Sequence, residues 1–460
     1  MSKQLYPFQR QALEWLAQRP NGIIGLPVGS GKTVIAARAV AGADTLLVVA
    51  PNIVKQYWAD TLWDWTLRRA QVVEGTGGQR AELLQRPAHT FIINHEMLRD
   101  RAKYPEIWAR RWDAVIVDEA HRLQGRPRLV SSGDNIKQLG QQSRGAELLR
   151  YKHLYMLSGT PIWNRPDSLW HLLRLLDKRA FGSYWRFCRE FCDIEETPWA
   201  TIVRGIKSPA AEAALHDLVA PYVFYRTKEQ VLPDLPPKVI QPIYYEPTAS
   251  QRKQYRELRY RLRLEWDDGH LIRFHDSAAS AMVDLRRVLN GNWARGPLHD
   301  KADPKLRTIL ELLDDLTTQK VVVFTWLREY AFDLANSIAD RTTRVTYCIT
   351  GDMPNPAAVL QQFQRTSKPA VLVATIASIG ESTDALANVS AAIFAEGSFT
   401  PVQNEQAEGR LHRIGTKVSP VIYRVMARKT LEEKIWKTTD THQDLTDALL
   451  TIQEILDDQT

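Results

Sequence analysis

Cysteine is scarce: Cys188, Cys192 and Cys348 are the only three in 460 residues. Three cannot build a disulfide scaffold, and their odd number suits a reducing compartment. Long apolar runs are missing too. No segment reaches the roughly 18 uninterrupted apolar residues of a membrane helix, so neither a membrane span nor a membrane partner is expected. The opening Met1 to Gln11 lacks the charged-then-apolar pattern of a secretion signal, which points to a soluble protein of the cytoplasm. The 11 histidines form no His-Glu-x-x-His pair and no Cys/His cluster. Cys188 and Cys192, four apart on a helical pattern, have no further ligands at comparable spacing and are expected as paired core cysteines. Net charge is small as well: 60 Lys and Arg against 53 Asp and Glu leave +7, a mild bias toward an anionic partner such as nucleic acid.

What is present is an ordinary globular composition, 44% hydrophobic and 25% charged, which excludes wholesale disorder. The 14 tryptophans should mostly serve packing. Strand-length apolar runs alternate with helical patterns at Gly22–Gly25, Thr45–Ala50, Thr90–Asn94, Ala114–Asp118 and Leu154–Ser158. A second series runs through Lys320–Phe324, Val345–Ile349, Ala370–Ala374, Ala391–Ala395 and Val421–Arg424. Such alternation describes a parallel sheet wrapped on both faces, and two series describe two α/β lobes. Between them, from about Arg165 to Glu311, the pattern turns mainly helical, with insertions expected at about 165–225 and 248–300. Three prolines within Leu232–Lys238 stiffen an extended connection, so the lobes are expected at 1–232 and 233–460. The Gly/Ser/Gln-rich stretch Gln124–Arg144 reads as a surface loop.

Three groups carry chemistry. After the first strand, Gly29-Ser30-Gly31-Lys32-Thr33 leads into a helix, where backbone N–H groups can converge on phosphate, Lys32 can reach it and Thr33 can ligate Mg²⁺. The strict loop pattern is broken by Leu26, which stands where its first glycine belongs. Asp118-Glu119-Ala120-His121 places two carboxylates at a strand's C-terminal edge, where one can hold a cation and the other polarise water. Finally, Gln406 to Gly415 carries Arg410 and Arg413, three apart and therefore expected on one helix face toward the same phosphate. With the arginines in one lobe and the loop in the other, ATP would be gripped by both.

The order of these groups resembles the superfamily-two helicase-like ATPases, and within them the Snf-type DNA translocases. Leu5-Tyr6-Pro7-Phe8-Gln9 looks like the adenine-reading motif, Gly25–Thr33 like motif I, and Val49-Ala50-Pro51 with Gln56-Tyr57-Trp58 like motif Ia. Asp118–His121 is similar to motif II, Leu157–Pro161 to motif III, Val323-Phe324-Thr325 to motif IV, Ala374–Gly380 to motif V and Gln406–Gly415 to motif VI. Tyr225–Lys228 with Leu235–Lys238, and Leu431–Trp436, resemble stretches particular to the Snf type. Weaker likenesses at Phe181–Asp193 and Phe394-Ala395-Glu396 point to the annealing-helicase branch, in a stripped-down form closer to a bacterial or phage member.

The resemblance implies two tandem RecA-like lobes, ATP with Mg²⁺, and DNA, duplex or forked, as partner. It implies that Gln9 reads adenine and that Gly29, Ser30, Gly31, Lys32 and Thr33 bind phosphate. Thr33 and Asp118 would hold the metal, Glu119 would be the catalytic base, Gln406 would sense the γ-phosphate, and Arg410 and Arg413 would be arginine fingers. His121, Ser158 and Thr160 would couple the sites, while Lys55, Gln56, Asn94, Thr325, Thr375 and Ser378 would touch DNA. Partners in replication, repair or restriction follow from the same likeness. Motif V departs from the usual form: Glu381 stands where DNA phosphates are normally faced. Between the lobes' motifs, Tyr255, Leu258 and Leu262 form an apolar stripe beside Arg252, Arg256, Arg259 and Arg263. That ridge reads either as a track for phosphates or as a solvated face.

Overall fold

The computed structural model describes residues 4–27, 29–125, 139–159, 166–196, 201–231, 238–267, 274–291, 303–316, 320–351, 353, 356–379, 386, 389–412 and 419–440. Thr160, Arg413, Glu381, the Pro-rich stretch 232–237 and most of the expected loop 124–144 therefore lie outside the described residues. The chain divides into two compact units, Met1–Pro233 and Asp234–Thr460.

In the first unit the strands are β1 (Asn21–Gly25), β2 (Leu46–Val49), β3 (Gln71–Val72), β4 (Thr90–Ile93), β5 (Arg111–Val117), β6 (Arg150–Ser158), the pair β7 (Cys192–Glu196) and β8 (Thr201–Ile206), and β9 (Val223–Tyr225). Seven of them form one sheet in the order β3-β4-β2-β5-β6-β1-β9. Every pairing in it is parallel. β2 and β4 are buried at every position, as strands covered by helices on both faces must be. Pro7–Ala17 (α1) precedes β1, Lys32–Ala39 (α2) follows it, and Lys55–Thr66 (α3) follows β2.

The second unit repeats the plan. Its strands are β10 (Val239–Tyr245), β11 (Lys320–Thr325), β12 (Val345–Ile349), β13 (Ala370–Thr375), β14 (Ala391–Phe394) and β15 (Val421–Ala427). They lie in the order β10-β15-β14-β11-β13-β12, again all parallel. The fold is thus α/β, with two RecA-like parallel sheets.

Three features differ from the sequence reading. The first insertion is not wholly helical: β7 and β8 form an antiparallel ribbon behind the helices Pro166–Leu176 and Tyr184–Phe191. Cys192 accordingly caps the second helix and starts β7 instead of lying on the helix, although it and Cys188 are both buried, free thiols, with a hydrogen bond from Cys188 and burial raising the Cys192 thiol. At the end of the glycine-rich stretch, Gln141–Glu147 is a helix rather than loop. β10 was hidden by Pro242, which breaks the strand pattern; as an edge strand bonded, among the described residues, to β15 alone it can accommodate a residue with no N–H to donate.

Tryptophan does serve packing at several positions. Trp58, Trp112 and Trp170 are among the largest fully buried side chains, and Trp436 is 3% exposed. In the second insertion, Ala249–Asp267 turns Tyr255 and Leu258 to the core, and the Tyr255 hydroxyl accepts the Leu431 N–H at 2.8 Å. Arg256 stays exposed, whereas Arg252 is paired with Glu246 at 3.1 Å.

Candidate nucleotide site

Topology alone assembles the first unit's site. β6 lies between β1 and β5, with Gly25 registered against Ser158 and Val117 against Met156. The loop after β1, the end of β6 and the carboxylates after β5 therefore share one C-terminal sheet edge, with loop and carboxylates two strands, or roughly 10 Å, apart. This is the edge at which open α/β sheets bind ligands.

Gly29 and Gly31 have φ of 80° and 78°, a left-handed backbone that glycine adopts at no cost. A Cβ on Gly31 would stand 2.5 Å from the Gln9 amide nitrogen. Gln9, on α1, is buried and bonded at both ends of its amide: its Nε2 donates to the Ser30 carbonyl at 3.0 Å and its Oε1 accepts the Tyr6 N–H at 3.0 Å. Gln9 thus braces the loop from behind. Lys32 opens α2, and its Nζ donates to the carbonyls of Leu26 (2.8 Å) and Pro27 (3.0 Å), folding over the loop. Thr33 is half-buried on the first turn, and Ser30 is buried.

Asp118 is the most constrained group. One carboxylate oxygen accepts the Trp58 indole N–H at 2.8 Å and the other accepts the Glu119 N–H at 2.9 Å. Its carbonyl takes a 2.8 Å bond from His95 Nε2, and its N–H is tied to Val49. Burial, reinforced by the Glu119 charge, pushes the Asp118 carboxyl up to about 6 against the opposing Trp58 bond and Lys32 charge. Burial holds His95 down at about 4, so at neutral pH it is an uncharged donor. Glu119 occupies a left-handed conformation at φ 46°, rare for a residue with a Cβ and of a kind that clusters where function demands it. One Glu119 oxygen is 3.3 Å from His121 Nδ1. Two adjacent, largely enclosed carboxylates facing a phosphate-type loop are the donor set a hard divalent cation fits.

Trp58 and His95 were missed as functional residues. Trp58 stood in the segment compared with motif Ia, but only the fold shows that its indole reaches Asp118.

The expected DNA-contacting residues of this unit fare differently. Lys55 is 2% exposed and donates to the Val73 carbonyl at 2.6 Å, while burial and Arg80 lower it to about 8. It points into the lobe. Asn94 is also buried and donates to Glu96 at 2.7 Å. Gln56 is exposed and bonded to Asp60. Ser158 is buried at the end of β6.

In the second unit, Gln406 is buried and Arg410 half-buried on the helix Pro401–Leu411. The described helix runs to Leu411 with His412 as its cap, and Arg413, expected on the same face as Arg410, lies outside the described residues. Buried Glu408 anchors the helix, accepting from Lys238 and from Arg424 at 2.9 Å. Asn404 adds bonds to the Ser398 carbonyl and Thr439, both at 2.9 Å. Thr325 is fully buried, and Ser378 is buried and donates to the Thr375 carbonyl at 2.8 Å, with Thr375 6% exposed. The Thr325 hydroxyl is likewise engaged, donating to the Leu327 carbonyl at 3.3 Å.

A phosphate-type loop and paired carboxylates on one parallel-sheet edge define a nucleotide-dependent α/β protein. The SNF2-related domain matches residues 8–293, and the helicase conserved C-terminal domain matches residues 304–415. The chain belongs to the SNF2 family of superfamily-two helicase-like ATPases. It is 24% identical to human chromodomain-helicase-DNA-binding protein 6 over 98% of its own length and 18% of that protein's. It is 26% identical to the Xenopus laevis SWI/SNF-related regulator of chromatin subfamily A-like protein 1, over 94% of this chain and 42% of the relative. The Caenorhabditis elegans homologue of the latter is 24% identical over 94% of this chain and 60% of its own. The chain thus spans less than two thirds of each of these relatives. Among solved structures, a Sulfolobus solfataricus SWI2/SNF2 ATPase core in complex with double-stranded DNA is 20% identical with a TM-score of 0.44, covering 96% of this chain and 92% of that one. No helix among the described residues is long and apolar enough to cross a membrane.

Proposed function

We propose that the protein is a DNA-dependent ATPase that moves along duplex DNA without fully separating its strands. The observation that carries the reading is the Asp118–Glu119 pair, held by Trp58 and His95 on the same sheet edge as the Gly29–Thr33 loop. When bound, ATP with Mg²⁺ supplies the transferable phosphoryl group and the charge that offsets its oxygens.

The chain's own residues do the rest. Backbone N–H groups from Gly29 to Thr33 cradle phosphate at the α2 N-terminus, and Lys32 exchanges its bonds to the Leu26 and Pro27 carbonyls for phosphate oxygens. Thr33 and Asp118 hold the cation, Asp118 in an orientation fixed by two donors. Glu119, beside His121, orients and deprotonates the attacking water. Gln406 reads the γ-phosphate, while Arg410 and Arg413 stabilise the charge that develops on it. His121, Ser158 and Thr160 pass the state of the nucleotide to the DNA contacts.

Duplex translocation is preferred because the Snf-type stretches are present and no strand-splitting insertion is recognisable in the sequence. A triplex-displacement assay run beside a forked-duplex assay tests it. Displacement of the third strand without unwinding is expected; robust unwinding of the fork would replace this reading with a strand-separating helicase.

A further inference from the structure

A second basic feature lies at the opposite edge of the first sheet. Arg111 and Arg150 begin β5 and β6 and are registered directly against each other on adjacent parallel strands. Both are exposed, and among the described residues neither guanidinium has a hydrogen bond or ion pair. Like charges facing each other across a strand pair are destabilising, so an uncompensated pair calls for an anion from outside the chain.

The arginines rim an open depression of about 580 Å³, within the range of small-molecule sites. Its floor is apolar: Leu149, Leu175 and Leu176 are all at most 7% exposed, and the Tyr151 ring is pinned by a 2.7 Å bond from its hydroxyl to the Leu175 carbonyl. Lys178 completes the rim, bonded to the Glu147 carbonyl at 3.0 Å and its carboxylate at 3.2 Å. That carboxylate is already shared with Arg174 and His171, so it does not neutralise the arginines. The Asn21 amide in the wall already donates to the Leu176 carbonyl and accepts the Leu154 N–H, both at 3.0 Å. Nearby Lys152 is paired with Asp113. The two guanidinium forks are left as the recognition elements, and forks of this kind match phosphate oxygens.

We propose that this depression binds a small phosphate-bearing organic anion, with Arg111 and Arg150 on the phosphate and the leucine and tyrosine floor under its apolar or aromatic body. A concave site with an apolar floor suits such a ligand better than a bare phosphate backbone. The site is separated from the phosphate loop by the length of the strands and does not depend on the activity assigned to that loop.

Calorimetry with adenosine 5′-monophosphate on the full chain tests it, using a Lys32→Ala background to disable the phosphate loop. Binding at one site is expected, at least about tenfold tighter than inorganic phosphate and absent with adenosine. It should weaken at least about tenfold when Arg111→Gln and Arg150→Gln are added, because two charge-assisted bonds are lost. The added pair should melt no lower than its parent in phosphate-free buffer, since a like-charge repulsion is removed. Arg150→Lys alone, which keeps the charge but loses the fork, should bind with intermediate affinity. Unchanged affinity in the double substitution, equal binding of adenosine, or a short duplex competing below the concentration of the nucleotide would each overturn the proposal.

Discussion

At the scale of single residues, the site rests on how Asp118 is held. Replacing Trp58 by Phe keeps most of the ring in its buried slot but removes the donor to a carboxylate oxygen. An unsatisfied buried acceptor costs on the order of 1–3 kcal/mol, which should appear as a lower melting temperature. The Mg²⁺ concentration for half-maximal ATP hydrolysis should rise several-fold. An unchanged Mg²⁺ profile would reduce Trp58 to packing. Glu119→Gln should lose about 10²- to 10⁴-fold in turnover while nucleotide binding persists, because the base is removed and the cradle is not. Equilibrium binding measured beside phosphate release separates the two. The sequence made the placement of Lys32, Asp118 and Glu119 legible, since each sits at the end of a strand or the start of a helix whose pattern is local. It did not make side-chain direction legible. Lys55 and Asn94 lie in segments expected to touch DNA, yet both turn inward, the first to the Val73 carbonyl and the second to Glu96. Exposure is a tertiary property, decided by which neighbouring strand offers a partner.

At the scale of elements, buried ion clusters hold the functional segments. Glu147 receives Arg174 at 3.1 Å, Lys178 at 3.2 Å and His171 at 3.5 Å, while His171 also bonds the carbonyl of Leu123, just beyond the motif II carboxylates. Burial alone would raise the Glu147 carboxyl, but the His171 bond and the Lys178 and Arg174 charges hold it at about 2, below its ordinary 4.5. A depressed carboxylate contributes stability that is complete above about 4.5 and is lost as pH falls toward 2. Glu147→Gln should therefore cost about 3–5 kcal/mol at neutral pH, with the gap to wild type closing through that acid window in denaturant titrations. A gap independent of pH would contradict the ion-cluster account. The edge strand β10 allows a different test. Pro242 withholds one N–H from the exposed edge, and Val239 and Ile240 beside it are 47% and 37% exposed. Pro242→Val should increase self-association, seen by light scattering, by completing an apolar strand template. The ribbon β7–β8 and this edge strand were the elements hardest to read, one because a two-stranded hairpin has no long period and the other because proline masks the strand pattern.

At the scale of the whole molecule, each of the two units is organised by one parallel sheet of similar plan, and the alternation of strands and helices was plain from the apolar runs. Each unit encloses its own hydrophobic core. In motif VI, Gln406 and Arg410 are placed on the helix Pro401–Leu411, whereas Arg413 lies outside the described residues. Arg413→Ala should still lower hydrolysis by about 10³-fold or more with ATP binding retained, since a finger acts on the developing charge. The mild charge of +7 suits the proposed translocase, which would have to release DNA as readily as it grips it. The most direct measurement is phosphate release by the full chain with no DNA, single-stranded DNA, duplex and forked duplex, at fixed salt. Strong stimulation by duplex, abolished in Glu119→Gln, is the predicted result; turnover indifferent to DNA, or surviving that substitution, would contradict the account.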